Sequence, residues 1–205
     1  MKIFLMALLL TGIISPAKAQ TQKDNIMAGG SIANANATFQ SGNSIVGVNL
    51  NPKLGYFIAN NVVVGLGVNL GLTGGGGVTT LNYGVLPFAR YFFSPRQMKD
   101  ANANITSART RFFAEVDFGF SGSNTFKPNM PNSTINGTSF SAGPGMSYFI
   151  TPNVGLETLL KIRGISGFGT SSLALQPELS LGFQIYLPTA RAKAIYNEEK
   201  RNMNK

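Results

Sequence analysis

The sequence predicts an all-β fold, an eight-stranded antiparallel up-and-down transmembrane β-barrel with a short periplasmic C-terminal tail. Three observations support this fold class: an N-terminal export signal, eight segments in which apolar and polar residues alternate, and a motif that recurs where strands end. Alternation with a period of two is typical of strands that have two different faces. The predicted barrel covers residues 20–187, between a signal peptide at 1–19 and a basic tail at 188–205.

The first 19 residues have the three parts of a secretory signal peptide. Lys2 precedes an apolar run that begins at Ile3, and Ala17-Lys18-Ala19 fits the small-residue pattern of a cleavage site. The apolar run is too short for a membrane-spanning helix, which needs about 20 residues. Cleavage after Ala19 would remove two lysines from a chain whose formal net charge is +9. The mature chain is therefore expected to be exported.

Cysteine and histidine are both absent from the sequence. An exported chain without cysteine has no disulfides, so closure and packing of its strands must stabilise it. A chain without histidine lacks the usual general base and the usual metal ligand. Hydrolases with a Ser-His pair are therefore excluded, together with histidine-dependent outer-membrane proteases and lipid A deacylases. No catalytic, cofactor or metal site is expected.

The first four strands are predicted from alternation and from the turns between them. In the second strand, Leu50 and Leu54 fall on one face and Lys53 on the other. Asn60-Asn61 is a tight hairpin turn, and the glycine run 74–77 lacks the helix and the Lys-Ser/Thr pair of a phosphate-binding loop. The predicted ranges are Asp24–Thr38, Val46–Ile58, Val62–Leu72 and Thr79–Phe93.

The last four strands follow a polar loop at 94–108. Strands six and seven form a hairpin, Pro144–Arg163, that turns at Thr151-Pro152-Asn153. An irregular stretch, Ser123–Gly137, separates strands five and six, and it is predicted to be the longest of four modest outer loops. The other three are Gln40–Asn43, Thr73–Val78 and Ser166–Ser171. The remaining predicted strand ranges are Arg109–Gly122 and Leu173–Leu187.

A Pro-x-x-x-Tyr motif followed by an aromatic residue recurs at the ends of even-numbered strands. Its three full copies are Pro52–Ile58, Pro87–Phe93 and Pro144–Ile150. In each copy the tyrosine falls on the apolar face beside a turn, where an aromatic girdle would meet the membrane interface. Proline removes a hydrogen-bond donor from the ladder, so local bulges are expected at these prolines. The predicted interface girdle consists of Tyr56, Tyr91 and Tyr148.

The alternation alone would fit apolar side chains that point inward, as in a soluble barrel, or outward to lipid. The outward orientation is favoured because the other face combines small residues with nearly balanced charges, and eight strands leave an interior just wide enough for side chains. It also keeps these charges out of lipid, where a midplane Arg or Lys costs about 2–4 kcal/mol. The predicted polar network of the lumen contains Lys53, Arg90, Arg111, Glu115, Asp117, Glu157, Lys161, Arg163 and Glu178.

The signal peptide, the eight strands and the turn motif at 52–61 and 144–153 resemble the small outer-membrane β-barrel proteins, the OmpA/OmpX-like family, especially its Bacteroidetes-type members. The last strand is similar to the terminal signal read by the barrel-assembly machinery, although Ile185 and Leu187 stand where aromatic residues are usual and a tail follows. The resemblance implies a location in the cell outer membrane, with outer-membrane lipids, lipopolysaccharide and the barrel-assembly machinery as partners. An even number of strands places both termini in the periplasm.

The function favoured by these features is that of a non-enzymatic integral outer-membrane barrel with a plugged polar lumen, which serves envelope structure or surface interaction. A narrow pore for small solutes and a lipid-modifying outer-membrane enzyme are the alternatives. The basic tail is either solvated or in contact with anionic headgroups or peptidoglycan. Its charge is too dispersed to predict nucleic-acid binding, and the sequence identifies no extracellular partner.

Overall fold

The computed structural model describes residues 21–40, 43–93, 109–128, 130–167 and 174–189. The predicted signal peptide, the predicted loop 94–108, residues 41–42 and 168–171 of two predicted outer loops, and residues 190–205 of the predicted tail lie outside the described residues. Within the described part of the chain, no helix is long and apolar enough to cross a membrane.

Eight antiparallel strands form a closed barrel in which neighbours in sequence are neighbours in space. Pairing of the last strand with the first closes the barrel, from Asn25–Pro188 to Ala33–Ser180. The predicted fold class and the up-and-down order of the strands are therefore confirmed. The strands are β1 (Asn25–Gln40), β2 (Asn43–Ala59), β3 (Val62–Gly75), β4 (Val78–Phe92), β5 (Thr110–Phe126), β6 (Ser133–Thr151), β7 (Val154–Gly167) and β8 (Ala174–Pro188).

The two ends of the barrel differ in the connections they carry. The terminal rim is the end where β1 begins and β8 ends, together with the β2–β3 and β6–β7 turns. The distal rim is the opposite end, which carries the connections β1–β2, β3–β4, β5–β6 and β7–β8. At the terminal rim Asn61 has a φ of 67°, so the predicted Asn60-Asn61 turn uses a left-handed residue of a type that tolerates it.

Apolar side chains cover the outside of the barrel. Leu54, Phe118 and Leu175 are 61%, 62% and 60% exposed, whereas the inward neighbours Phe57 and Phe113 are fully buried. A soluble protein would leave this large continuous apolar surface in water, whereas a bilayer covers it. The outward orientation of the apolar face is therefore the one that the structure shows.

The hairpin of β5 and β6 is longer than the sequence predicts. The stretch Ser123–Gly137 was predicted to be a loop, but the strands continue to Phe126 and resume at Ser133. This stretch has no apolar alternation because polar pairs hold it, including a hydrogen bond of 2.5 Å from Thr134 Oγ1 to Asn124 Oδ1. A strand that extends beyond the apolar wall needs no apolar face, and so hydrophobic periodicity does not reveal this part of the hairpin.

The prediction of bulges at the motif prolines is wrong. Pro52, Pro87 and Pro144 are exposed, and each interrupts the pairing with one neighbouring strand without any shift of register. The reason is that a strand residue directs its N–H toward only one neighbour, so the pairing on the other side continues. Register shifts occur instead beyond the tyrosines of two motif copies, between Phe57 and Ala59 and between Phe149 and Thr151.

Gly143 on β6 is required by a close approach between backbones. A Cβ atom added at Gly143 would lie 1.9 Å from the carbonyl oxygen of Leu160 on β7. We expect Gly143→Ala to lower the free energy of unfolding by about 1–3 kcal/mol, since the backbone of one strand must move. Gly74→Ala is the matched control, because a Cβ atom there meets nothing within 4 Å. Urea titrations monitored by heat-modifiable migration on gels measure both, and equal midpoints for the two variants would contradict the prediction.

Candidate functional site in the barrel lumen

Charged side chains fill the middle of the lumen. The structure places all nine residues of the predicted polar network on inward positions, and eight of them form one connected set of ion pairs. We call these eight residues the ion network. Its four cations and four carboxylates balance in formal charge. The ion network consists of Lys53, Arg90, Glu115, Asp117, Glu157, Lys161, Arg163 and Glu178.

Glu115 on β5 lies at the centre of the ion network. It is 1% exposed and accepts hydrogen bonds from Lys53 and from Arg90, whose Nε and Nη2 lie 2.9 and 2.7 Å from Oε2. Lys161 Nζ lies 3.5 Å from its other carboxylate oxygen. A buried carboxylate is stable only when several partners compensate its lost hydration. Glu115 therefore joins strands β2, β4 and β7 across the lumen.

Arg90 connects the centre of the lumen to the opposite wall. Its Nη1 donates to both carboxylate oxygens of Glu157 on β7, at 2.7 and 2.9 Å. Glu157 also accepts hydrogen bonds from Ser147 at 2.6 Å and from the hydroxyl of Tyr186 at 2.8 Å. The guanidinium of Arg90 is fully buried and pairs with Glu115 on one side and Glu157 on the other. The Arg90 side chain therefore spans the lumen and is held at both sides.

Lys161 and Arg163 extend the ion network toward the distal rim. Lys161 Nζ donates to Asp117 Oδ2 at 2.5 Å, and Arg163 Nη2 lies 2.9 Å from Glu178 Oε2. The space left between these side chains is a cavity of about 10 Å³. A cavity needs roughly 10–15 Å³ to hold one water molecule. The ion network therefore leaves room for about one water at this level.

Arg111 is the ninth member of the predicted polar network. It faces inward on β5 and is 7% exposed, and its strand position is opposite Ser147 on β6. Its position two residues before Phe113 puts it close to the terminal rim.

A layer of aromatic side chains closes the lumen on the terminal side of the ion network. We call Phe57, Phe92, Phe113, Phe149 and Tyr186 the aromatic layer; each is at most 3% exposed. Neighbouring ring centroids lie 5.1–6.2 Å apart, which is the usual distance between packed aromatic rings. The Arg90 guanidinium lies 3.9 Å from the ring centroid of Phe113, so the two layers are in direct contact.

The sequence reasoning missed the aromatic layer, although the repeat contained the signal for it. Phe57, Phe92 and Phe149 each follow the motif tyrosine, and so each points inward at the same rim. The tyrosines themselves lie on the outer surface near the terminal rim, with Tyr56, Tyr91 and Tyr148 39–41% exposed. The structure therefore places these three tyrosines on the outer wall, each close to the terminal rim. Their contact with the membrane interface stays a prediction.

On the distal side of the ion network the lumen widens into a cavity of about 210 Å³, which we call the vestibule. Arg163 and Glu178 lie on its inner side, where they also border the small cavity of the ion network. The remaining lining combines amide and hydroxyl side chains with Tyr83, Ile135, Ile165 and Pro177. The polar side chains that line the vestibule include Asn49, Asn69, Asn82, Ser121, Ser123 and Gln176.

Comparison with known proteins agrees with this architecture. Residues 5–168 match the family model described as outer membrane protein beta-barrel domain. The chain belongs to this family. A location in the outer membrane follows from that membership. No match was found among curated protein sequences.

Solved structures of small outer-membrane barrels are similar in fold to this family member. Neisserial surface protein A has a TM-score of 0.53 and 17% identity, with 78% of this chain and 95% of that chain covered. The N-terminal β-barrel domain of OprF from Pseudomonas aeruginosa has a TM-score of 0.45 and 16% identity, over 80% and 98% of the two chains. The attachment invasion locus protein Ail of Yersinia pestis has a TM-score of 0.47 and 11% identity, over 81% and 100%. At 17% identity the likeness to Neisserial surface protein A shows the fold alone.

Proposed function

We propose that this outer-membrane barrel neither conducts solutes nor catalyses a reaction, and that it serves envelope structure or surface interaction. The observation that carries the proposal is the double closure of the lumen by the aromatic layer and the ion network. Both layers draw side chains from several strands, and the cavity within the ion network is only about 10 Å³. A hydrated ion or a small nutrient has no continuous path through such a lumen.

The charge balance of the ion network supports a structural role for it. A conducting pore has a water-filled lumen, and a pore that selects ions by their charge carries rings of one sign of charge. Here four cations and four carboxylates compensate one another at hydrogen-bond distance, for example at 2.7 Å between Arg90 Nη1 and Glu157 Oε1. Such pairs link strands across the barrel and thereby stabilise the shape of the closed barrel.

The proposed orientation places both chain termini in the periplasm and the distal rim at the cell surface. It follows from the even number of strands together with the predicted signal peptide, and it directs the vestibule outward. In this orientation the outer-membrane lipids and lipopolysaccharide surround the apolar wall, and the barrel-assembly machinery inserts the chain. The motif tyrosines would then meet the inner interface of the membrane.

Planar-bilayer recording of the purified, refolded protein tests the closed lumen. We expect no steps of stable conductance in symmetrical potassium chloride, because no water-filled path passes the two layers. A larger outer-membrane porin, incorporated in the same way, shows that insertion is detectable. Reproducible single-channel steps from the pure protein would overturn the proposal in favour of a narrow pore.

The absence of catalysis is tested separately. Mass spectrometry of lipid A from cells with and without the protein should give identical spectra. The hydroxyl–carboxylate pairs of the described lumen, Ser147 with Glu157 and Ser141 with Asp117, are buried inside the barrel, where a lipid acyl chain does not reach them. A species with a lost or added acyl chain, present only in expressing cells, would establish a lipid-modifying enzyme instead.

A further inference from the structure

We propose that the vestibule binds a small, neutral, polyhydroxylated molecule, namely a single sugar unit. The inference rests on the closed lumen of the proposed function, because only a closed lumen makes the vestibule a blind pocket. Its volume of about 210 Å³ equals the space of roughly seven water molecules at about 30 Å³ each. That is below the roughly 300–1,000 Å³ typical of drug-sized ligand sites, and it suits one sugar ring.

The chemistry of the lining matches hydroxyl groups. Each asparagine amide offers two donors and an acceptor, and each serine hydroxyl offers both functions, as every sugar hydroxyl does. Asn49, Asn69 and Asn82 come from the adjacent strands β2, β3 and β4, and all three are half-buried. No other described residue forms a hydrogen bond with their side-chain amides. Three neighbouring amides are thus available to a ligand.

The packing around Gly71 shows how this array of amides is held. A Cβ atom at Gly71 would lie 1.9 Å from Asn49 Oδ1 and 3.2 Å from the Cβ atom of Asn82. The side chain of Asn49 therefore occupies the space that any larger residue would fill. The glycine allows amides from β2 and β4 to approach each other over β3.

The inner side of the vestibule adds a charged but balanced pair. Arg163 is 6% exposed and lies 2.9 Å from Glu178 through Nη2, while its Nε has no hydrogen-bond partner among the described residues. An arginine with spare donors beside a carboxylate can bind two adjacent hydroxyls of one sugar ring. The guanidinium donates a hydrogen bond to one hydroxyl, and the carboxylate accepts a hydrogen bond from the other. The Glu178 carboxylate would repel an anionic ligand. An apolar ligand would leave the amides without hydrogen-bond partners, so a neutral polyol is the best match.

The test is a titration followed by NMR of side-chain amide and guanidinium Nε–H signals. The full chain is placed in phosphatidylcholine nanodiscs, because sugar-headed detergents would compete for the site. D-Glucose, D-galactose and N-acetylglucosamine are the soluble probes, and inorganic phosphate is the anionic probe. A second preparation contains lipopolysaccharide in the disc, which distinguishes a free sugar from a sugar carried by a lipid.

We expect saturable shifts of the Asn49, Asn69, Asn82 and Arg163 signals in the millimolar range with a soluble sugar, or with lipopolysaccharide if the sugar is lipid-borne. Asn69→Ala and Asn82→Ala should each weaken binding about threefold to tenfold, as expected for one lost hydrogen bond. Asn124→Ala is the matched control; this asparagine lies on the same hairpin as Ser123 but bonds Thr134 outside the vestibule. Its binding should be unchanged.

The proposal is overturned if neither soluble sugars nor lipopolysaccharide cause saturable shifts, or if phosphate binds as well as the sugars. It is also overturned if the Asn69 and Asn82 variants bind as tightly as the unaltered protein. Conductance is measured on separate samples, so a porous lumen and an empty vestibule give different results. The first would refute the proposed function, and the second would refute this inference alone.

Discussion

Replacing Glu115 with glutamine is expected to lower the free energy of unfolding by about 3–5 kcal/mol, the range found when one member of a buried ion pair is lost. Glutamine keeps the size of the side chain but removes the charge that compensates three cations. Arg90 keeps Glu157 and Lys161 keeps Asp117 as partners, so the largest loss falls on Lys53. Its side chain is 9% exposed and has no second carboxylate among the described ion pairs.

The measurement is the urea midpoint of the refolded protein, monitored by gel migration and circular dichroism because the chain contains no tryptophan. Asp117→Asn is the matched control on the same strand, where Lys161 keeps Glu115 at 3.5 Å and Glu178 at 3.9 Å. No cation of the ion network is then left without a carboxylate, and we expect a smaller loss there. The double variant Lys53→Met with Glu115→Gln should recover part of the stability, because it removes the cation that the single change leaves uncompensated. This account of Glu115 would be contradicted if the double variant lost more free energy of unfolding than the two single variants lose together.

The sequence was sufficient to predict which residues of the barrel wall point inward and which point outward, but not which inward side chains contact one another. Strict alternation places Glu157 and Lys161 on the face opposite to Leu156 and Leu160, and the structure has them so. Alternation states only which way a side chain points. The height at which it meets a side chain from the far wall depends on the tilt and stagger of all eight strands. The pairing of Arg90 with Glu157, which lie on β4 and β7, could therefore not be predicted.

The distal hairpin and the aromatic layer were missed for different physical reasons. The strand ends near Asn124 and Thr134 stand above the apolar wall, so no hydrophobic periodicity marks them. Alternation puts Phe57 on the same inward face as Lys53, and Phe113 on the same inward face as Glu115. Alternation alone does not show that these phenylalanines belong to one layer. The recurrence of phenylalanine after each motif tyrosine would have predicted that layer. Only the closed geometry shows that these rings meet at one height.

Replacing Phe113 with alanine is expected to lower the free energy of unfolding by about 3–5 kcal/mol, as for other buried phenylalanines. The ring is fully buried, its centroid lies 5.3 Å from that of Phe92, and it covers Gly145, where a Cβ atom would lie 2.3 Å from Cζ. The guanidinium of Arg90 lies 3.9 Å from its centroid. Its removal therefore also takes away a cation–π contact of about 2 kcal/mol in a desolvated site.

Phe118→Ala is the matched control, because Phe118 lies on the same strand, points outward and is 62% exposed in the absence of lipid. Its loss leaves no internal cavity, so we expect a urea midpoint much closer to that of the unaltered protein. Phe113→Ala should still give no stable conductance steps, since the ion network closes the lumen independently of the ring. If both variants lose the same stability, the aromatic layer does not act as a packed core. If Phe113→Ala alone conducts, then the aromatic layer, and not the ion network, is what seals the barrel.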